Sequence, residues 1–515
     1  MTNGPLRSGA ALQTTAASTP SARSRWISLY VLCAGFLMIV VDGTIVNVAL
    51  PSIQRDLGFS QSSLAWVVNA YLIAYAGIML LAGRLGDLIG RKRIFLTGLV
   101  IFTTASLLCG LSFSQPVLIA ARFVQGIGGA VSSAVILGMV VTMFQEPGER
   151  ARAIGIFSFI ASAGASVGLL AGGLITQLMS WHWIFFVNLP IGVATAFLGV
   201  RLLESDPGIG LGEGADVFGA LLVTAALMLG VYTIVDSANY GLGSPHTLGF
   251  GAVAVGLLVA FLVRQAVASN PILPLRLFRS RNISGANLIQ TVMVAAFFGF
   301  FFLGSLNLER VLRYGPMEIG LAFLPVALGM GAFSVKWSAQ LIMRFGARTV
   351  LLAGLALIAA GLILLAQGPM MSDYVRDMLL AVAFLGVGGG LAFPSLTIIA
   401  MADTTPDDSG LASGLLNTTT QVGAALGLAI LATLSSNRTG QLIAEGRDTV
   451  AALSGGYHFA WAISAGLALL SIALTVFILK AKATSASGYE APEEAREAVE
   501  MARIEEAVDG EEACA

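Results

Sequence analysis

The chain reads as an all-α membrane protein: two six-helix bundles with two extra transmembrane helices between them, 14 spans in all. Three observations carry that reading. Of the 515 residues, 56% are hydrophobic and only 11% charged, with a mean hydropathy of +0.85, whereas a soluble domain carries about 25% charged residues. Apolar runs long enough to cross a bilayer follow one another along the chain. A set of glycines in the first part of the sequence also returns in the second part at a nearly constant offset.

The apolar runs are 26–50, 64–83, 94–113, 117–144, 151–178, 184–204, 216–236, 247–268, 283–308, 318–343, 349–367, 378–401, 409–435 and 457–480. Only helices repeat this way in lipid, because each satisfies its own backbone hydrogen bonds. Lysine and arginine set the orientation. With the N-terminus inside, cytoplasmic segments hold 20 of the 28, outer loops six and the spans two. Both termini are therefore expected in the cytoplasm, and the protein in the plasma membrane. Residues 1–25 lack a hydrophobic core and read as a disordered cytoplasmic tail, not a signal peptide. Residues 481–515 read as an acidic, solvated tail.

The repeat divides the chain. Leu85, Gly90 and Gly98 are matched by Leu341, Gly346 and Gly354, at an offset of 256. The Gly-Ile-Gly-Gly of 126–129 returns as Gly-Val-Gly-Gly at 386–389, and Gly155, Gly164 and Gly168 return as Gly414, Gly423 and Gly427. Residues 26–204 then form an N-terminal six-helix bundle and 282–480 a C-terminal one, with 205–281 inserted as a linker carrying the two extra spans. The second copy has Met343 where the first has Asp87, so that carboxylate serves only one half.

Several function classes fall away. A net charge of −1 argues against a nucleic-acid partner. Cys33, Cys109 and Cys514 make no disulfide framework, and no Cys/His set has zinc spacing, so no metal or cofactor is expected. There is no Gly-Lys pair, hence no phosphate-binding loop, and no His-Glu-x-x-His; a Gly-x-Ser-x-Gly elbow is missing from the loops. An ATP-driven pump and an intramembrane enzyme are thereby disfavoured. The expected partners are a small-molecule substrate, protons and membrane lipid, with the proton gradient as energy source and a monomer as the unit.

Charged groups inside spans need a reason, because each costs about 2.5–3.5 kcal/mol at a span centre on the insertion scale. Asp42 lies in the first span, about 12 Å inside its outer end, and Arg122 in the fourth at similar depth. They can pair or share a polar cavity. Burial favours the protonated acid and the guanidinium favours the carboxylate, and the sequence leaves that balance open. A static pair holding two spans in register is the competing reading. Lys336 in the tenth span either lines the cavity or snorkels to its end.

Between spans 2 and 3, Gly83, Asp87, Gly90 and Arg91 belong to a short loop in which glycines let helix ends approach closely. Asp87 is placed to face the N-terminus of span 13, at Ser409 and Gly410, where free N–H groups and the helix dipole would latch a carboxylate. In span 5, Gly164, Gly168 and Gly172, with Gly173, make a smooth stripe against which another helix packs or slides. These are the gating candidates. Asn47, Gln125, Glu309, Lys336, Asn417 and Gln421 are the candidate substrate contacts.

These motifs together resemble the major facilitator superfamily, in its fourteen-span drug:proton antiporter branch, from about residue 26 to 480. The stretch from Asp42 to Pro51 resembles that branch's span 1 motif, and Gly83 to Arg93 the superfamily loop. Arg122 to Gly129 resembles the span 4 motif assigned to proton transfer, and Trp181-His182-Trp183 and Asn188-Leu-Pro190 resemble further landmarks. The resemblance implies proton-coupled export of amphipathic drugs or antibiotics by alternating access. Export of a lipid or other envelope compound, or proton-coupled uptake, is the alternative. Four positions depart from the pattern: Leu169 stands where the span 5 motif has proline, His182 where arginine is usual, and Glu309 and Arg310 where Gln-Gln is usual.

Overall fold

The computed structural model describes residues 22–144, 146–204, 208, 210, 216–241, 243–369, 373–402 and 409–479, and these are nearly all helical. The acidic tail, 481–515, and most of the N-terminal tail lie outside the described residues. The N-terminal half comprises α1 (Ala22–Leu57), α2 (Gln61–Ile89), α3 (Arg91–Gly110), α4 (Gln115–Met143), α5 (Pro147–Leu178), the single turn α6 (Trp183–Phe186) and α7 (Asn188–Leu202). The insert contributes α8 (Val217–Tyr240) and α9 (Pro245–Val267). The C-terminal half comprises α10 (Arg281–Arg310), α11 (Pro316–Ala332), α12 (Ser338–Phe345), α13 (Ala347–Gln367), α14 (Leu379–Met401), α15 (Ser409–Ala444) and α16 (Thr449–Ile478).

Among the described residues, 12 helices are long and apolar enough to cross a bilayer. The other two expected spans are shorter by that measure: Val167–Leu178 within α5, and α11, which runs into α12 through a π turn at Phe333–Trp337. Fourteen spans are compatible with this arrangement. Helix starts are fixed by side chains that accept the otherwise unpartnered first-turn N–H groups, as Ser60 does for α2, Ser280 for α10 and Asp448 for α16. Helix α1 begins four residues before residue 26, where Arg25 pairs with Glu149 of α5 at 3.1 Å.

The internal repeat is visible in three dimensions. Gly90 joins α2 to α3 at φ 109°, and Gly346 joins α12 to α13 at φ 82°, both in a region that disfavours any side chain. Gly128 of α4 packs on the Gly98 carbonyl and the Phe102 amide of α3; Gly388 of α14 packs on the Gly354 carbonyl and the Ile358 amide of α13. In each half the fifth span lies along the first through glycines, Gly168 against Val41 and Thr44, Gly427 against Ala295.

The halves meet along three seams, α1 with α10, α2 with α15, and α5 with α11. At the end where α1 and α10 finish, the meeting is closed. Arg55 pairs with Glu309 at 3.1 Å, the Ser305 hydroxyl donates to the Asn47 carbonyl at 2.8 Å, and Gln61 donates to Ser435 at 3.0 Å. The Gly320 backbone also rests on the Leu169 carbonyl. The insert lies across the α2–α15 seam: Thr224 of α8 fits against Gly77 of α2, and Thr433 of α15 donates to the Ile234 carbonyl. Beneath them Leu81, Phe261, Leu273, Ile283 and Leu415 form one apolar cluster drawn from both halves and the insert.

Candidate functional site

Asp42 and Arg122 are brought together in the interior of the N-terminal half. Their side chains are 0% and 1% exposed, and the Arg122 Nη1 donates to Asp42 Oδ2 at 2.7 Å. The second carboxylate oxygen accepts from Gln125 Nε2 and from Asn188 Nδ2, each at 2.8 Å. Both amides also donate to the Ser106 hydroxyl, at 3.2 and 2.9 Å, and that hydroxyl donates to the Phe185 carbonyl at 2.9 Å. The guanidinium is held further by the Val67 carbonyl at 3.0 Å, the Gln125 carbonyl oxygen at 2.7 Å and the face of Tyr71, 4.4 Å to the ring centroid. Carboxylate and guanidinium are thus charge-matched and hydrogen-bonded, as a buried pair must be to exist.

Local sequence explains how each group arrives. Arg122 and Gln125 are three residues apart on α4 and share one face. Asn188 opens α7, because the sixth span breaks after the short turn of α6 and Pro190, lacking an N–H, falls in the first turn of the new helix. Every described hydrogen-bond partner of the Asp42 carboxylate belongs to the N-terminal half. Asn47, five residues on and so about 140° around the helix, lies instead where α1 meets α10: its carbonyl takes the Ser305 hydrogen bond, while its amide stays on its own helix. Helix α1 therefore presents one polar face to its own bundle and another to the opposite half.

The gating candidates fall into two sets. Asp87 is half-exposed and pairs with Arg91 at 3.0 Å; Arg91 also donates to the Gly138 carbonyl of α4 at 3.1 Å. The side chains of Ser409 and Gly410, expected opposite Asp87, lie outside the described residues. Gly83 has open space beside it, and Gly90 makes the helix junction described above. Gly164 lies against the Leu37 and Val40 side chains of α1, Gly168 and Gly172 lie so close to the Val41 and Ile45 carbonyls of α1 that a Cβ would clash, and Gly173 lies against Pro316 and Met317 of α11. The stripe thus contacts both its own half and the other.

The substrate candidates are dispersed. Gln125 is inside the buried network and Glu309 is in the ion pair with Arg55. Asn417 is exposed and Gln421 half-buried on α15, beside Thr419 and Thr420, which bond Asn287 and Gln290 of α10 at 2.9 Å each. Lys336 lies in the π turn after α11, and its side chain is outside the described residues. Sequence reasoning gave Ser106, Tyr71 and Phe185 no part in the site, since lone polar or aromatic residues in apolar helices carry no spacing signal. Asn188 stood out only as part of a motif. Among the described residues, no group of three His, Cys, Asp or Glu is gathered as a metal site.

Comparison with known proteins places this architecture. The family model described as Major Facilitator Superfamily matches residues 31–313 and 288–504. The chain is 36% identical over 492 residues to the puromycin resistance protein pur8 of Streptomyces alboniger, covering 94% of this chain and 97% of that one. It is 35% identical to the cephamycin export protein CmcT of Amycolatopsis lactamdurans, covering 94% and 96%, and 34% identical to the multidrug resistance protein Stp of Mycobacterium tuberculosis, covering 79% and 75%. Two solved structures share the fold at 16% identity. A bacterial homologue of the human lysosomal transporter Spinster, inward-facing and unoccupied, has a TM-score of 0.62 over 88% of this chain and 97% of that one. The POT family transporter PepTSo has a TM-score of 0.63 over 87% and 98%. A repeated six-helix scaffold, a buried Asp–Arg pair in its first half and relatives of this kind over nearly the whole length make the chain a member of the major facilitator superfamily, in its drug-efflux branch.

Proposed function

We propose that the chain is a proton-driven antiporter that exports amphipathic small molecules, drugs or antibiotics among them, across the plasma membrane, with Asp42 as the proton site. Relatives named for resistance to or export of different antibiotics support the substrate class. The observation that carries the coupling is the buried Asp42–Arg122 pair capped by two carboxamides.

The chemistry follows from that shell. As carboxylate, Asp42 accepts three hydrogen bonds, two of them from amide NH₂ groups. As carboxylic acid it must donate one, and an amide turned by 180° offers an oxygen in place of its nitrogen. Asn188, whose Oδ1 has no partner among the described residues, can turn to receive the acid proton without a change of fold, whereas Gln125 is held in place because its Oε1 accepts from Arg122. Protonation also removes the charge opposing Arg122, which loosens α1 against α4. Because α1 carries the Asn47–Ser305 contact and the groove against Gly168, a shift of α1 reaches the α10 and α5 seams. Substrate and proton then communicate through packing, not by competing for one cavity.

The test is drug efflux from proteoliposomes under an imposed pH gradient. Asp42→Asn retains substrate binding, loses gradient-driven accumulation and releases no protons on adding substrate. Full coupling in that variant would move the proton site elsewhere. Movement of substrate and protons in the same direction by the wild type would overturn export.

A further inference from the structure

A second site lies outside the buried Asp42–Arg122 network. Where α1 and α3 finish and α6 begins, an open cleft of about 600 Å³ is lined by Asp56, Leu111, Phe113, His182, Trp183 and Phe186. Asp56 is exposed, and its Oδ2 is fixed by the Trp181 indole N–H at 2.8 Å, so the carboxylate is held against one wall. No lysine or arginine pairs with it among the described residues, and none lines the cleft. His182 is stacked on Trp181, ring centroids 3.7 Å apart, and supplies no fixed charge: burial pulls its pKa below 6.5, against the opposing effect of Asp56. The cleft therefore carries one uncompensated negative charge.

Its rim is apolar. Phe113 is 82% exposed, Leu111 58% and Trp183 46%. Trp183 stands edge-on to Phe186, centroids 5.5 Å apart, which leaves indole surface open to the cleft. Aromatic side chains at the ends of membrane helices sit at headgroup level, where one end of a ligand is wet and the other dry. An aromatic wall beside a lone carboxylate is also the arrangement that attracts an ammonium group.

We propose that this cleft binds a cationic amphiphile, its ammonium group between Asp56 and the Trp183 ring and its apolar tail along Leu111 and Phe113. The site goes beyond the transport reading and does not depend on Asp42. Two sources share this chemistry: an amine-headed lipid of the surrounding bilayer, and a cationic compound on its way out.

Radiolabelled dodecyltrimethylammonium is titrated onto the full chain in nanodiscs of phosphatidylglycerol, with empty nanodiscs subtracted. Wild type shows saturable binding that dodecyl sulfate does not displace. Asp56→Asn keeps an acceptor for Trp181 and the same unfolding temperature but binds about tenfold more weakly, and Trp183→Leu several-fold more weakly. Asp42→Asn binds as wild type. Displacement by lysophosphatidylethanolamine identifies the lipid source; displacement only by quaternary ammonium drugs identifies the exported one. Equal binding by wild type and Asp56→Asn, or no saturable component at all, overturns the site.

Discussion

The two halves share a scaffold and differ in what fills it. At the repeat offsets, Ser106, Arg122 and Gln125 of the N-terminal half correspond to Leu362, Val382 and Leu385 of the C-terminal half, all three at most 1% exposed. Where the first half buries an ion pair and two amides, the second packs Phe297, Phe300, Phe301 and Phe323 into a mutual cluster with centroids 5.3 to 5.6 Å apart. The glycine contacts between helices are the same in both, Gly128 on α3 and Gly388 on α13. Helix packing is thus set by small residues common to the repeats, while the core behind them is free to be polar or apolar. A polar core costs stability that an apolar one does not. Among the described residues the buried ion pair lies in the first half alone, while Asn287 and Gln290, amides that the second half buries, accompany no charge.

The largest test of this contrast removes the guanidinium. Arg122→Leu strips Asp42 of its counter-charge in a dry site, and unfolding in detergent registers a loss of about 3–5 kcal/mol, with transport abolished. Converting Val382 to Leu at the matching position changes volume only and costs about 1–3 kcal/mol by overpacking, with coupling intact. Equal losses in the two variants would mean that the pair contributes nothing beyond filling space. Arg122→Leu combined with Asp42→Asn removes both charges and recovers part of the stability without recovering proton coupling.

A second test asks whether the scaffold is as symmetric as its contacts. A Cβ on Gly128 meets the Phe102 amide at 2.4 Å, and one on Gly388 meets the Gly354 carbonyl at 2.6 Å, so in both places backbone must move. Gly128→Val and Gly388→Val each lower stability by about 1–3 kcal/mol and by similar amounts. A large inequality would show that the two halves tolerate helix separation differently and would weaken the view of them as one unit used twice.

Much of this was legible in the linear chain, for physical reasons. Lipid forces each apolar run to be a helix, so positions such as 94–113 and 349–367 found α3 and α13 within a few residues. Charges are so costly in a span that Asp42 and Arg122 stood out and could be paired by depth alone. Facing was not legible. Nothing in the order of residues says that Asp42 turns toward α4 and α7, inside its own bundle, while Asn47 meets the opposite half. Ser106 and Asn188 join the site only because α3 and α7 converge there, a tertiary fact that leaves no spacing in the sequence. The placement of α8 across the α2–α15 seam was equally hidden, since a helix apolar on every side gives no sign of which side packs.

The smallest expected effect comes from a polar cluster in neither half, which serves as a control for the first. Asp216 caps α8, accepting from the Gly219 N–H at 2.9 Å, from Gln265 at 2.7 Å and from Arg264 at 3.1 Å, while Gln265 accepts from the Leu273 N–H at 3.0 Å. Burial alone would push the Asp216 pKa up, but the Gly219 N–H, Gln265 and Arg264 outweigh it and the net shift is downward from 3.8. A carboxyl whose folded pKa lies below its unfolded one stabilises the fold fully above the unfolded value and loses that contribution as pH falls through the folded value. Arg264 is 43% exposed, so water screens its share. Asp216→Asn therefore costs about 1 kcal/mol, constant from neutral pH down to the ordinary carboxylate range and shrinking only below it. Unfolding temperatures of wild type and variant should run parallel across that upper range and converge in stronger acid. Under the proposed coupling Asp42→Asn differs from it in kind: it is expected to change proton movement, whereas Asp216 anchors the insert and its loss is expected to leave coupling untouched. Loss of coupling in Asp216→Asn would mean that the insert across the α2–α15 seam moves with the transport cycle, and the contrast between a working half and a supporting remainder would have to include it.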